Sequence, residues 1–193
     1  MNKIITFSHP ETTSDLLTYD DYKTFPDNDG IRKEIIEGDL FMTPAPSTKH
    51  QSILRELSFL FYDFVKKNKL GEILFAPCDV VLSRINIVQP DLIFISKKNL
   101  QILTDLNVQG APDLVVEIIS SSSKDADQIY KKRIYEKFGI KEYWIVDPDE
   151  ETVEIWTLKN KKYHLATKAK KPQIIKSRLL PEMKIDLSKI YLE

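Results

Sequence analysis

The sequence predicts a mixed α/β fold in which a central mixed sheet is flanked by helices, with extra hairpins near both ends of the chain. Two observations indicate this class. Two segments have the period of amphipathic helices, and the strand-like runs between them follow one another without long helices. A chain of this kind is not a series of βαβ units.

The composition is typical of a soluble globular protein, with 42% apolar residues, 30% charged residues and a net charge of −1. The small net charge excludes a protein coated with basic residues, although a local basic patch would suffice for nucleic acid. Cys78 is the only cysteine, which excludes an internal disulfide and a zinc site built from cysteines.

The length of 193 residues suits one domain with a sizeable core. The sequence shows no repeat, no low-complexity block and no clear linker. We therefore expect a single domain over residues 1–193, with its core at about 32–158. No apolar run approaches the roughly 20 residues that span a bilayer, and residues 1–10 lack the layout of a signal peptide. A cytoplasmic protein with no membrane partner is expected.

The first part of the chain is predicted to form a hairpin and then a long helix. Arg32–Phe41 alternates weakly around a turn at Glu37-Gly38-Asp39, as in a β-hairpin. From Ser47 to Asn68, apolar residues recur at three- and four-residue spacing, which predicts an amphipathic helix of about five or six turns. Gly71 is expected to stop this helix.

The rest of the chain is predicted to contain mostly strands, with one more helix. A loop with a short helical turn is expected over Ser96–Ala111, and a helix over Ser121–Phe138, opened by serines suited to N-capping and ended by Gly139. The predicted strands are Glu72–Ala76, Val80–Ser83, Ile87–Ile95, Asp113–Ser120, Glu142–Val146, Thr152–Leu158, Tyr163–Thr167 and Ile174–Ile175.

Two of these strands carry a carboxylate inside an apolar run. Asp91 lies near the start of one strand, and Glu117 lies near the end of another. A buried carboxylate costs several kcal/mol unless it is paired or binds a metal. If the two strands are antiparallel neighbours, about 4.8 Å apart, both side chains lie at the same end of the sheet. Two such carboxylates can share one Mg²⁺ ion, so the pattern predicts a metal site.

The order and spacing of several motifs resemble the PD-(D/E)XK nuclease superfamily, and at greater length its Uma-type branch of restriction-endonuclease-like proteins. The resemblance extends from about Arg32 to Trp156. The similar motifs are Glu34-Ile35-Ile36-Glu37-Gly38, Pro44-Ala45-Pro46-Ser47 with His50, Gln89-Pro90-Asp91, Gly110 to Ser120, Asp127 with Lys131 and Tyr135, and Gly139 to Pro148.

The resemblance implies a restriction-endonuclease-like fold and hydrolysis of phosphodiester bonds in DNA with Mg²⁺ or Mn²⁺. Asp91, Glu117 and the Ile118 carbonyl are implied as metal ligands, and Lys131 as a positively charged catalytic helper. A homodimer is also expected, because cleavage of both DNA strands needs two sites. The supporting residues are Glu34, His50, Asp127 and Tyr135.

The sequence departs from the superfamily pattern at Ile119, which stands where the superfamily has lysine. The Uma-type branch resembles this chain in carrying the lysine on the following helix, at the position of Lys131. This departure leaves a second function open, that of a catalytically inactive nuclease fold that binds DNA or protein. A third alternative is a structural polar network in a protein of unrelated function.

Individual residues also have simpler interpretations. Lys131 can equally belong to a solvated helix face, or form a surface ion pair with Asp127 four residues earlier. Glu117 can equally form a buried ion pair with a lysine or an arginine. Asp113 lies about 13 Å from Glu117 along an extended strand, so one ion cannot bind both, and we interpret Asp113 as a capping or orienting residue.

Overall fold

The computed structural model describes residues 5–6, 16–26, 31–119 and 126–191, with side chains described from 16 to 26, 31 to 119 and 129 to 191. The α-helices of this part are α1 (Tyr19–Tyr22), α2 (Thr48–Asn68) and α3 (Lys132–Phe138), which continues a π-helical segment at Ala126–Lys131. Its strands are β1 (Ile5–Thr6), β2 (Arg32–Ile36), β3 (Asp39–Thr43), β4 (Gly71–Phe75), β5 (Val80–Ser83), β6 (Asn86–Val88), β7 (Leu92–Ser96), β8 (Val108–Gln109), β9 (Leu114–Ile118), β10 (Glu142–Asp147), β11 (Thr152–Lys159), β12 (Lys162–Lys170), β13 (Ile174–Lys176) and β14 (Lys184–Asp186).

The central sheet has six strands in the order β12-β11-β10-β9-β7-β4. Only β9 and β10 run parallel among these neighbours, and the other pairs are antiparallel. One face packs against α2 and the C-terminal segment, and the other packs against α3 and a second sheet. The predicted mixed sheet with flanking helices is therefore confirmed. In the described residues, no helix is long and apolar enough to cross a membrane.

The second sheet has the order β1-β3-β2-β6-β5-β8 and contains the predicted N-terminal hairpin, β2–β3. Residues of β2 alternate between its two faces. Ile36 joins the core shared with the central sheet, whereas Ile35 packs on the opposite side with Tyr19 and Tyr22. Arg32 and Glu34 share the face of Ile36, so both point toward the central sheet.

The long helix and its end at Asn68 are confirmed, but the residue that terminates it is not Gly71. Ser47 caps it, its Oγ accepting the His50 N–H at 3.2 Å. The C-cap is Lys69, which adopts a left-handed conformation with φ 55°. Gly71 instead opens β4, where a Cβ atom would lie 2.0 Å from the Ile95 carbonyl oxygen. Gly71 is thus needed for close strand pairing and not for helix termination.

The predicted strand Ile87–Ile95 is wrong, because the chain forms two strands there that belong to different sheets. β6 lies in the second sheet and β7 in the central sheet. Gln89 and Pro90 connect them, and proline has no N–H with which to continue a ladder of hydrogen bonds. The crossing between sheets places Asp91 immediately before β7.

The other elements follow the prediction with small differences. The expected helical turn lies at Leu100–Ile102, but the same loop also contains β8, which pairs with β5. The second helix ends at Gly139 with φ 82°, as predicted. Its predicted start at Ser121 lies outside the described residues. The strands after it are confirmed, and β13 pairs with β14 near the C-terminus.

Candidate active site

Asp91 and Glu117 lie side by side at one end of the central sheet. β7 and β9 are antiparallel, with Leu92 opposite Val116, and the same register places Asp91 opposite Glu117. Both side chains point toward the second sheet, and each residue is only 1% exposed. Asp91 Oδ2 also accepts the Ile118 N–H at 2.7 Å. The geometry therefore brings two buried carboxylates to neighbouring positions on one face.

The Asp91 carboxylate is held by two side chains from other elements. Arg32 of β2 donates from its guanidinium to Oδ1 at 2.7 Å, and His50 Nε2, in the first turn of α2, lies 3.2 Å from Oδ2. Burial by itself raises the pKa of the Asp91 carboxyl, but hydrogen bonds and charges from His50 and Arg32 outweigh burial and lower this pKa below its ordinary value. Asp91 is therefore ionised at neutral pH.

The Glu117 carboxylate is held by the helical segment that follows β9. Lys131 Nζ donates to Glu117 Oε1 at 3.1 Å, and the Tyr135 hydroxyl donates to the same oxygen at 2.6 Å. Burial, followed by the charges of Glu117 and Glu34, raises the pKa of Tyr135 well above its ordinary value. Tyr135 is thus a neutral hydrogen-bond donor at physiological pH.

Glu34 joins the two halves of this cluster. Its Oε1 lies 3.0 Å from Lys131 Nζ and accepts the Gln89 N–H at 2.7 Å. Lys131 therefore bridges Glu34 on the second sheet and Glu117 on the central sheet. The interpretation of Lys131 as part of a solvated helix face is wrong, since its side chain is 3% exposed. The simpler interpretation of Glu117, a buried ion pair with lysine, is confirmed by its contact with Lys131.

The remaining predicted residues have distinct positions. Ile119 is buried in the core between the two sheets, so the cation beside Glu117 comes from a helix and not from the strand. Asp113 accepts the Ser96 N–H at 2.7 Å and pairs with Lys141, which agrees with an orienting role. The side chain of Asp127 lies outside the described residues.

A divalent cation would find suitable oxygen ligands here. Mg²⁺ prefers hard oxygen ligands and usually takes one or two carboxylates with several waters, and Asp91, Glu117 and the Ile118 carbonyl are of this type. In the described parts of the chain, no three His, Cys, Asp or Glu side chains are arranged to hold one metal ion. Both carboxylates contact side-chain cations instead. The residues fit Mg²⁺ if such a cation gives way.

Two contributors to the cluster were not predicted. Arg32 contacts Asp91, and the Gln89 N–H holds Glu34. A signal for Arg32 existed in the sequence, because it precedes Glu34 by two residues in a strand and must share its face. Gln89 acts through its backbone, so its side-chain type carries no signal for this contact.

Comparison with known proteins places these features in a family context. Residues 19–188 match the family model Uma2, described as "Putative restriction endonuclease". The fold is similar to the crystal structure of "a putative nuclease belonging to DUF820" from Anabaena variabilis, with a TM-score of 0.75 and 19% identity over 90% of this chain and 97% of that chain. This similarity confirms the restriction-endonuclease-like fold. No curated protein is significantly similar to the chain.

Proposed function

Because the chain belongs to the Uma2 family of restriction-endonuclease-like proteins, we propose that it is an endonuclease that hydrolyses phosphodiester bonds of DNA with Mg²⁺ or Mn²⁺. The observation that supports the proposal is the buried pair of Asp91 and Glu117 on neighbouring strands. Two carboxylates at such a position are costly for folding. Their presence is explained if they bind a catalytic cation.

In this proposal the metal ligands are Asp91, Glu117 and the Ile118 carbonyl. When bound, the ion would stabilise negative charge on the scissile phosphate and lower the pKa of an attacking water. The Ile118 N–H already donates to Asp91 Oδ2 at 2.7 Å, which fixes the orientation of that carboxylate. His50 supports Asp91 from the other side, at 3.2 Å.

Lys131 is the proposed positive helper. Its amine lies within hydrogen-bond distance of both Glu117 and Glu34, so its position is fixed before substrate binds. A fixed positive charge in a buried site stabilises developing negative charge without reorganisation. Tyr135 orients Glu117 through its hydroxyl. We assign Asp127, one helical turn before Lys131, a supporting role on the same segment.

DNA is the proposed substrate, in the cytoplasm, and the proposed working form is a homodimer. A two-fold dimer supplies the two sites that cleavage of both strands needs. Among the residues that the structure describes, β4 and β12 are the edge strands of the central sheet, and an edge strand offers unpaired backbone groups to a second copy. Light scattering of the purified chain tests this point, since a monomer at assay concentration contradicts it.

A catalytically inactive DNA- or protein-binding module is the second candidate. It is favoured by one observation, namely that Asp91 and Glu117 already contact Arg32 and Lys131. A cluster that is neutralised internally can persist without a metal. In that case calorimetry finds no binding of Mn²⁺ or Mg²⁺, while DNA or protein binding remains.

Cleavage of supercoiled plasmid with Mg²⁺ or Mn²⁺ tests the first candidate. We expect Asp91→Asn and Glu117→Gln each to lower the cleavage rate at least about 100-fold. Asp63→Asn is the matched control, because Asp63 is exposed on α2. This variant should cleave at the wild-type rate. Activity that survives in the Asp91→Asn/Glu117→Gln double variant overturns the assigned site.

A further inference from the structure

The two basic side chains of the cluster that contact Asp91 and Glu117, Arg32 and Lys131, differ in their access to solvent. The Lys131 side chain is 3% exposed and lies between Glu34 and Glu117. The Arg32 side chain is 21% exposed and contacts Asp91, which is itself 1% exposed. Arg32 is therefore the more accessible of the two cations to an incoming ligand, whereas the Lys131 side chain is enclosed.

Arg32 also contacts the carboxylate to which the proposed metal ion would bind. Its guanidinium nitrogen lies 2.7 Å from Asp91 Oδ1. A Mg²⁺ ion binds a carboxylate oxygen at about 2.1 Å, so the guanidinium and the ion would be two positive charges within a few ångströms of each other. In a buried site such charges repel strongly. The guanidinium and the ion therefore compete for Asp91.

Without a metal, Arg32 and His50 both contact the buried Asp91 carboxylate. A guanidinium is not deprotonated in proteins, so Arg32 is charged in every state of the site. A guanidinium that leaves Asp91 needs another anion, since an unpaired buried charge is costly.

We propose that Arg32 is the resident counter-ion of Asp91, that Asp91 exchanges it for the divalent ion, and that the released guanidinium then binds a phosphate of the DNA. This inference rests on the proposed function and adds a substrate-binding residue to it. The planar guanidinium suits phosphate because it donates two parallel hydrogen bonds. The exchange couples the two ligands, so that metal and DNA each strengthen the binding of the other.

Metal binding without DNA gives the first test. The probe is Mn²⁺, titrated by calorimetry into the full, metal-free chain. Arg32→Gln removes the competing charge and should bind Mn²⁺ about tenfold tighter than wild type or better. Arg32→Lys keeps the charge and should stay within about threefold of wild type. Arg55→Gln is the control, since the Arg55 side chain is 65% exposed on α2, and its Mn²⁺ affinity should not change.

DNA binding gives the second test, with fluorescence anisotropy of a labelled 20-base-pair duplex and Ca²⁺ as the oxygen-binding cation. Adding Ca²⁺ should tighten duplex binding by wild type and by Arg55→Gln about tenfold. Arg32→Gln should lose most of this gain, because the guanidinium that couples the two ligands is absent. Arg32→Lys should lose part of it, since an amine cannot donate as a planar fork.

The outcomes separate this inference from the function on which it rests. If wild type binds Mn²⁺ and Arg32→Gln binds it no tighter, the exchange is overturned and the metal site stands. If neither protein binds Mn²⁺, the exchange and the metal-dependent function both fail. If Arg32→Gln does not fold, Arg32→Lys decides, because an unchanged Ca²⁺-dependent gain in DNA affinity overturns the phosphate contact.

Discussion

Buried carboxylates occur on both faces of the central sheet, and their partners differ. On the α2 face, Glu142 accepts hydrogen bonds from Trp144 Nε1, the Ser177 hydroxyl and the Arg178 and Leu179 N–H groups, all at 2.7 to 2.8 Å. On the opposite face, Asp91 and Glu117 contact Arg32 and Lys131. Glu142 thus accepts from neutral donors of fixed position, whereas Asp91 and Glu117 each also contact a long charged side chain in addition to their other donors.

The difference separates a structural carboxylate from one that can exchange partners. Backbone N–H groups cannot leave Glu142 unless the segment that carries them unfolds. An arginine or lysine side chain can leave its carboxylate by rotating about its own bonds, and a metal ion or a phosphate can then replace one member of the pair. The central sheet therefore carries both a polar network of fixed neutral donors and a cluster in which a charged partner can be exchanged.

The largest expected effect is on stability, at Glu142. Glu142→Gln replaces one oxygen with an NH₂ group that must face donors, so at least one buried donor loses its partner. We expect the free energy of unfolding to fall by about 3–4 kcal/mol, measured by urea denaturation. Exposed Glu182→Gln is the matched control and should change by less than about 0.5 kcal/mol. A similar loss in both variants contradicts the comparison.

The same isosteric change at Glu117 should affect stability little and Mn²⁺ binding strongly. A glutamine oxygen can still accept from Tyr135, and Lys131 keeps Glu34 as a partner. We expect Glu117→Gln to lower the free energy of unfolding by only about 1–2 kcal/mol and to abolish Mn²⁺ binding. Urea denaturation and calorimetry on one protein sample measure both quantities. Loss of stability as large as that of Glu142→Gln shows that the two regions do not differ.

Local patterns in the sequence were sufficient for much of this comparison. The period of α2 and the carboxylates in two apolar runs indicated a sheet end with Asp91 and Glu117 together. The family resemblance named Lys131 and His50, but local patterns did not pair Arg32 with Asp91, because Arg32 is 59 residues away and reaches Asp91 from another sheet. The same holds for Glu142, whose partner Ser177 is 35 residues away. Periodicity reports the face of one element, and it does not report which element covers that face.

The break between β6 and β7 shows the same limit at shorter range. Residues 87–95 have the composition of one continuous strand, and only Pro90 indicates an interruption. The strand changes sheets at Gln89 and Pro90 because the two sheets pack face to face there. That change places the Gln89 N–H against Glu34 and Asp91 beside Glu117, so the part that was mispredicted is the part that assembles the cluster.

Lowering the pH should reduce the contribution of the ionised Asp91 carboxylate to the free energy of unfolding. The pKa of Asp91 is lower in the folded protein than its ordinary value, so the unfolded chain binds more protons near pH 4, the usual range for aspartate. The stabilisation is complete above the unfolded pKa and is lost as pH falls toward the folded pKa. We expect wild type to exceed Asp91→Asn in stability by about 1–2 kcal/mol at pH 6, and the gap to narrow at pH 3.

Urea midpoints of the two proteins at both pH values measure this gap. Asp113→Asn is a useful companion. Burial raises the pKa of Asp113, but Lys141 and Ser96 lower it below its ordinary value, and Asp113 lies outside the Asp91–Glu117 cluster. Its acid dependence should resemble that of Asp91→Asn, while its Mn²⁺ affinity should remain that of wild type. If the difference in free energy of unfolding between wild type and Asp91→Asn widens on acidification, Asp91 is not ionised in the folded protein.

The smallest expected effect is that of removing the Tyr135 hydroxyl. Tyr135→Phe keeps the ring, which packs edge-on against Tyr143 at 5.2 Å between centroids, and removes only the hydrogen bond to Glu117. Since Lys131 still contacts Glu117, we expect a loss of about 1 kcal/mol in the free energy of unfolding and a fall in Mn²⁺ affinity of about tenfold. Tyr163→Phe is the control, because its hydroxyl donates to the Ile140 carbonyl, away from the cluster. Tyr163→Phe should lose comparable stability and no Mn²⁺ affinity. If both variants bind Mn²⁺ equally well, Tyr135 supports the fold but does not orient Glu117.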